Sequence, residues 1–132
     1  LELAGAYRLS GSFSSARNAV YSCLEIRPGW GEAYISLGNI YVAGAKYCGG
    51  IFEQSAVYWI AVDSFRKALN DETTKERASK NIYTYSKYFP TKVDCFDNSP
   101  TYRKKHGIDI TEGSKFNIEC WINKTTIVRT SD

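Results

Sequence analysis

A chain of 132 residues with 43% hydrophobic and 14% aromatic residues is long enough and apolar enough to form one domain with a hydrophobic core. Its formal net charge of +3 is far below the dense basic surface that is typical of nucleic-acid-binding proteins, so nucleic acid is not an expected partner. No segment approaches the roughly 18 consecutive apolar residues of a membrane span, so direct membrane insertion is not expected either.

The first half of the chain repeats part of itself. Three residues recur 34 positions later, in the pairs Leu3 and Leu37, Ala4 and Gly38, and Tyr7 and Tyr41. Four further residues recur 45 positions later, in the pairs Ala16 and Ala61, Val20 and Phe65, Cys23 and Ala68, and Leu24 and Leu69. The larger spacing predicts an insertion of 11 residues between two paired helices, and the break in the helical pattern at Ala45–Gly50 marks its place.

A repeat length of 34 residues, with small side chains at recurring positions, resembles the tetratricopeptide repeat family over about Leu1–Asn70. Tyr7, Tyr41, Val20 and Phe65 match the large packing residues of the family, Gly11 its helix turn and Pro28 its repeat-ending proline. Cys23 and Thr73 depart from the pattern, since the family has alanine and proline there. The resemblance implies a mainly α fold, a superhelix of about five helices in antiparallel pairs, with those four large residues buried.

The helix predicted over Ala56–Leu69 carries one apolar stripe, because its hydrophobic residues fall three and four positions apart. Another helix is predicted over Lys75–Phe89 and stops at Pro90, which cannot continue a helix. A solenoid needs a terminal element to cover its last hydrophobic face, so this helix is expected to cap the repeats. Residues 1–90 are therefore expected to form the helical part of the molecule.

Residues 91–132 differ in composition from the helical part. Asp, Asn, Ser, Pro and Gly accumulate between Asp94 and Gly113, which predicts a linker. Ser99 before Pro100 predicts the start of one short helical turn within it.

The end of the chain has the period-two pattern of a half-buried strand. Phe116, Ile118, Cys120 and Ile122 alternate with Lys115, Asn117, Glu119 and Trp121. The segment "NKT" predicts a turn into a second strand, so an antiparallel hairpin is expected over Ser114–Thr130, docked on the helices through its apolar face. The segments "PTKVDCF" and "ECWINKTTIVRT" resemble a short C-terminal extension that follows such repeats in bacterial proteins.

Four cysteines, Cys23, Cys48, Cys95 and Cys120, are spaced too widely and irregularly for a CxxC metal site, and no metal is expected. Cys23 occupies a small packing position that suits a buried free thiol. A Cys48–Cys120 disulfide is favoured because it would fasten the hairpin to the insertion; Cys95–Cys120 and four reduced thiols are the alternatives. A disulfide predicts an extracytoplasmic location, such as the periplasm or cell envelope, whereas reduced cysteines predict the cytoplasm.

No motif for catalysis or cofactor binding is present, so the protein is not expected to be an enzyme or to carry a cofactor. The sequence has no glycine-rich phosphate loop, HExxH or GxSxG. Cys95 and His106 lack an orienting third residue, so a structural cysteine and a surface histidine are the favoured interpretation. The basic run Arg103–His106 is interpreted as a solvated turn, because no second basic cluster accompanies it.

In tetratricopeptide repeat proteins, the first helix of each repeat lines a groove that binds peptides. The resemblance implies a groove that contains Arg8, Glu32, Asn39, Arg77, Lys80, Asn81, Thr84 and Lys87. Their donors suit a peptide carboxylate. Asn39 and Asn81 match positions used by chaperone-binding members, whereas Ile35 replaces an expected lysine. The alternative is a plain polar face, or one covered by repeats upstream of Leu1.

Two classes of function are consistent with these features. A scaffold that binds a protein or peptide ligand fits the repeats, the implied groove and the lack of catalytic motifs, and it is the favoured interpretation. The alternative is a structural assembly or dimerisation segment of a larger bacterial envelope protein, which predicts a homo-oligomer. Pull-down with the full-length protein separates the two, because only the first predicts a distinct partner.

Overall fold

The computed structural model describes all 132 residues and shows a mainly helical protein with one small sheet. The helices are α1 (Glu2–Leu9), α2 (Phe13–Ile26), α3 (Gly31–Gly44), α4 (Ile51–Lys67), α5 (Lys75–Ser86) and α6 (Lys92–His106). The strands β1 (Lys115–Ile118) and β2 (Lys124–Ile127) follow and pair antiparallel. The predicted combination of helices with a C-terminal hairpin is confirmed.

Helices α1 to α5 pack against their neighbours in chain order. A tight turn at Gly11, whose φ is +82°, joins α1 to α2. A 3-10 turn at Ala45–Tyr47, followed by Cys48 and two glycines, joins α3 to α4, so the helical pattern breaks where the sequence predicts. Helix α5 ends at Ser86, three residues before its predicted end at Phe89.

Small side chains lie where the helices meet. Ala4, Ala16, Ala61 and Ala68 are fully buried. A Cβ atom built on Gly38 would lie 2.4 Å from the nearest ring atom of Phe65, so a side chain at this position would force the Phe65 ring to move. This close approach explains why residue 38 is a glycine, whereas the matching residue 34 positions earlier, Ala4, is an alanine.

The large residues predicted to be buried divide into two groups. Tyr41, Val20 and Phe65 are buried as predicted, whereas Tyr7 is only half-buried. Tyr7 belongs to α1, which packs mainly against α2 and α3. The α3 residue Tyr41 is enclosed because α3 packs against α1, α2 and α4. Cys23, predicted to be buried, is also only half-buried.

Asp71 ties the connection between α4 and α5 to the start of α3. Its carboxylate accepts hydrogen bonds from the Thr73 hydroxyl at 2.7 Å and from the Gly31 backbone N–H at 2.8 Å. These two bonds, with a third from the Thr73 N–H, lower the pKa of Asp71 because they favour the ionised carboxylate.

The prediction of a linker over Asp94–Gly113 is wrong, because α6 occupies most of that segment. The helix begins with a capping box in which the Thr91 hydroxyl accepts the Asp94 N–H and the Asp94 carboxylate accepts the Thr91 N–H. Pro100 lies inside the helix rather than in its first turn. The cap at Thr91 thus starts the helix well before the proline that suggests a start.

Ser99 does not cap a helix as predicted. Its hydroxyl donates to the Cys95 carbonyl at 2.8 Å and accepts the Ile110 N–H at 3.1 Å. Ser99 therefore joins α6 to the segment that leads into the hairpin.

The hairpin is shorter than the predicted one. Its strands pair Lys115 with Ile127 and Ile118 with Lys124, so the turn runs from residue 119 to 123 and not over "NKT" alone. Cys120 lies in this turn with a φ of +26° and is exposed, which contradicts its predicted place on the buried face. The strand prediction extends too far because the alternation of polar and apolar residues continues into the turn.

The hairpin docks on the helices through its turn as well as through its buried strand residues Phe116 and Ile118. Trp121, predicted on the solvent face, packs on α3, where its Nε1–H donates to the Gly44 carbonyl at 3.0 Å. Arg17 of α2 donates to the Trp121 carbonyl at 2.6 Å.

No helix combines the length and apolar character needed to cross a membrane.

The structure joins Cys48 to Cys120 in a disulfide, which is the favoured pairing. The bond links the connection between α3 and α4 to the hairpin turn, over a sequence separation of 72 residues. Cys23 and Cys95 are free thiols.

Candidate functional site

The eight residues implied by the family resemblance lie on three helices. Arg8 is on α1, Glu32 and Asn39 are on α3, Arg77, Lys80, Asn81 and Thr84 are on α5, and Lys87 follows α5 directly. Lys87 lines one of the five main cavities, and the other seven residues line none of them.

Some of these side chains are already paired within the protein. Arg77 forms an ion pair with Glu32, which brings α5 and α3 together. Lys80 lies 3.7 Å from Glu76 on its own helix. The structure thus unites two of the eight residues but does not gather the set into one cavity, and peptide binding by them stays a prediction.

A shallow cleft of about 690 Å³ lies between α4, α5 and the C-terminal segment Val128–Asp132, and we call it the α4–α5 cleft. Its hydrophobic lining residues are Val62, Leu69, Ile82, Tyr83 and Phe89. Val62 belongs to α4, and Leu69 lies in the 3-10 turn Ala68–Asn70 that follows α4 directly. Ile82 belongs to the α5 face that also carries Ser79 and Ser86, three and four residues away.

One cation of the α4–α5 cleft is held firmly by the protein. The guanidinium of Arg129 lies 2.8 Å from the Asp63 carboxylate and donates to the Trp59 carbonyl at 2.9 Å. Trp59 in turn donates its indole N–H to the Arg129 carbonyl at 2.6 Å. The same guanidinium lies 5.3 Å from the ring centre of Phe89. Arg129 therefore shapes one wall of the cleft with its charge balanced by Asp63.

Two other cations of the cleft are not balanced. Arg66 and Lys87 are exposed and belong to none of the ion pairs of the protein. The Lys87 ammonium lies 4.2 Å from the ring centre of Tyr83, a distance that suits a cation–π contact. The cleft thus combines an apolar floor with two cations at its edge.

A second cleft, of about 320 Å³, lies beside the disulfide between α6 and β1. His106 Nε2 lies there 3.5 Å from the Glu119 carboxylate. Burial raises the pKa of Tyr102 to about 12, with further contributions from the negative charges of Glu53 and Glu119. Tyr102 therefore stays a neutral phenol at ordinary pH and cannot act there as a base.

Cys95 and His106 do not meet. They lie eleven residues apart on α6, which places them roughly 16 Å apart along the helix axis. Burial raises the pKa of Cys95 to about 11, with smaller contributions from Asp94 and two other carboxylates, so this thiol is protonated at neutral pH. No group of three or more His, Cys, Asp or Glu side chains is arranged to hold a metal ion.

The α4–α5 cleft has no clear signature in the sequence. Periodicity places Leu69 and Ile82 in helical core stripes and Arg129 in a strand, which gives no reason to bring them together. The signal that could locate the cleft is the pair of cations Arg66 and Lys87 beside those stripes, but a charged residue next to a stripe is typical of any solvated helix.

Comparison with known proteins gives no further guide to the site. No protein-family model, curated protein or solved structure matches the chain.

Proposed function

We propose that the protein is a non-catalytic scaffold module, built on tetratricopeptide-like helix pairs, that binds a polypeptide segment of a partner protein in the α4–α5 cleft. The observation that carries this proposal is the open cleft between α4 and α5, in whose apolar lining Leu69 and Ile82 are half-buried while Val62 and Phe89 are buried. Apolar surface of this kind gains free energy when a partner covers it.

The form of the cleft favours a polypeptide over a small molecule. Small-molecule sites bury most of their ligand in a concave pocket, whereas this cleft is shallow and open to solvent. An amphipathic segment laid between two helices uses such a surface well, because its apolar residues contact the floor while its polar side stays in water.

The same proposal includes an extracytoplasmic location. It is supported by the Cys48–Cys120 disulfide, since structural disulfides form and persist in oxidising compartments.

The proposal is tested by selecting peptides from a displayed random library on the wild-type protein and measuring their binding to two variants. Ser79→Trp places a bulky ring in the cleft at an exposed position on α5. Ser22→Trp makes the same change at an exposed position on α2, outside the five main cavities.

We expect selected peptides to bind the wild type and Ser22→Trp equally, and to bind Ser79→Trp at least about tenfold more weakly, because the ring occupies their site. Peptides that bind all three proteins equally would place the binding surface elsewhere. A library that yields no specific peptide, together with a concentration-dependent increase in molecular mass by light scattering, would favour the assembly or dimerisation function.

A further inference from the structure

A further cleft, of about 370 Å³, lies between α3, α4 and β2, and we call it the hairpin cleft. Tyr34 and Leu37 of α3 line it on one side, and Lys124 and Thr125 of the hairpin line it on another. Docking of the C-terminal hairpin therefore creates a recess that the helices alone would not form.

Positive charge dominates the hairpin cleft. Its cations are Arg66, Lys67 and Lys124, and its one carboxylate is Asp63. The Asp63 carboxylate lies 2.8 Å from the Arg129 guanidinium and accepts the Thr126 hydroxyl at 2.5 Å. The negative charge of Asp63 is therefore already balanced by Arg129, which does not line the hairpin cleft.

The three cations of the hairpin cleft have no anionic partner in the protein. None of Arg66, Lys67 and Lys124 belongs to an ion pair, and none donates a side-chain hydrogen bond. The Lys67 ammonium lies 5.6 Å from the centre of the Tyr34 ring, a distance that suits a cation–π contact. These charges are free to bind an anion.

Arg66 connects the two clefts, because it lines both of them. A ligand that covers the apolar floor of the α4–α5 cleft can therefore continue past Arg66 to Lys67 and Lys124 without leaving the surface. Lys87 adds a fourth unpaired cation at the other side of the α4–α5 cleft.

We propose that the ligand is an acidic, apolar polypeptide segment whose carboxylates lie against Arg66, Lys67 and Lys124 in the hairpin cleft while its apolar residues occupy the α4–α5 cleft. This proposal rests on the proposed function and specifies the chemistry of the partner. Charge complementarity carries it, since opposite charges favour the correct partner and its orientation.

The test uses two synthetic peptides and fluorescence anisotropy. One peptide has a run of glutamates followed by a segment rich in leucine and phenylalanine; the other has glutamines in place of the glutamates. We expect the acidic peptide to bind the wild type about tenfold more tightly at low salt, and the difference to shrink as salt screens the charges.

Paired variants locate the effect. Lys67→Glu with Lys124→Glu should weaken the acidic peptide about tenfold while changing the glutamine peptide less than about twofold. Lys104→Glu with Lys115→Glu makes the same charge change at exposed positions outside both clefts and should leave the acidic peptide within about twofold of the wild type. If the first pair does not fold, Lys67→Gln with Lys124→Gln should show a smaller loss of the same sign.

The failures of the two proposals are distinguishable. If both peptides bind equally and Ser79→Trp weakens both, the α4–α5 cleft binds a polypeptide but the acidic preference is wrong. If neither peptide binds while library-selected peptides do, the acidic preference is likewise wrong. A single-stranded oligonucleotide that displaces the acidic peptide and depends on Lys67 and Lys124 would also overturn it, in favour of a nucleic acid.

Discussion

Replacing Gly38 with alanine tests the close packing of α3 on α4. A new Cβ would lie 2.4 Å from Phe65 Cε1 and 2.6 Å from Phe65 Cζ, whereas carbon atoms in contact normally lie about 3.5–4.0 Å apart. The ring would have to move by more than about 1 Å. It is fully buried and stacks on Tyr85, with 5.6 Å between ring centres, so it has little room to retreat.

Two opposing effects set the magnitude for Gly38→Ala. Alanine stabilises a helix interior by about 1 kcal/mol relative to glycine. Overpacking a dense core costs about 1–3 kcal/mol. We expect a net loss of about 1 kcal/mol in the free energy of unfolding, with a melting temperature roughly 3–5 °C lower.

Gly5→Ala in α1 is the matched control, because a Cβ there would meet no atom within 4 Å. Only the helix-propensity term applies, so this variant should be about 1 kcal/mol more stable than the wild type. Urea denaturation followed by circular dichroism gives both values. If Gly38→Ala stabilises the protein as much as Gly5→Ala does, the close packing of α3 on α4 is refuted.

The cysteines and Asp71 provide three other tests. At about pH 8, iodoacetamide should alkylate Cys23 but not Cys95 in the native protein. The Cys95 thiol is buried, and with a pKa of about 11 it is only about one-thousandth ionised at this pH. Rapid alkylation of both cysteines would contradict this expectation. Reduction of the Cys48–Cys120 disulfide should lower the free energy of unfolding, measured in urea, by about 4 kcal/mol, because the bond reduces the entropy of the unfolded chain. An unchanged free energy would mean that the other contacts of the hairpin hold it on the helices without the disulfide. Hydrogen bonds from Thr73 and Gly31 lower the pKa of Asp71 in the folded protein. The contribution of this carboxylate to the free energy of unfolding is therefore complete above its unfolded pKa of about 3.9, and it is lost as the pH falls through the folded value. Asp71→Asn should therefore be less stable than the wild type at neutral pH, with the difference shrinking in acid; a constant difference would argue against the carboxylate.

Helical periodicity and the recurrence of residues are enough to locate most of the helical body from the sequence. The recurrence at 34 and 45 positions places the break between α3 and α4, because an insertion shifts every later match by the same amount. The recurrence also predicts a close helix contact at Gly38, because a small residue, Ala4, occupies the matching position 34 residues earlier.

The errors have a common physical origin in contacts that the local pattern does not encode. Pro100 suggests a helix start, yet the capping box at Thr91 begins α6 earlier and the helix tolerates the proline. Trp121 fits the pattern of a solvent-facing strand residue, but the turn brings it back onto Gly44. The contact between Trp121 and Gly44 joins residues 77 positions apart, which no local pattern indicates.

The α4–α5 cleft escapes sequence-based prediction for the same reason. It forms only when the C-terminal segment near Arg129 folds back beside α4 and α5. Periodicity within one helix identifies an apolar face but cannot tell which part of that face its neighbours leave uncovered.

Binding of a polypeptide segment in the α4–α5 cleft is tested most directly by mapping backbone amide chemical shifts by NMR while a library-selected peptide is titrated into the protein. We expect the largest changes along Val62–Leu69 and around Ile82, with little change on α1. Changes centred on Arg8 and Asn39, in the groove implied by the family resemblance, would contradict this location.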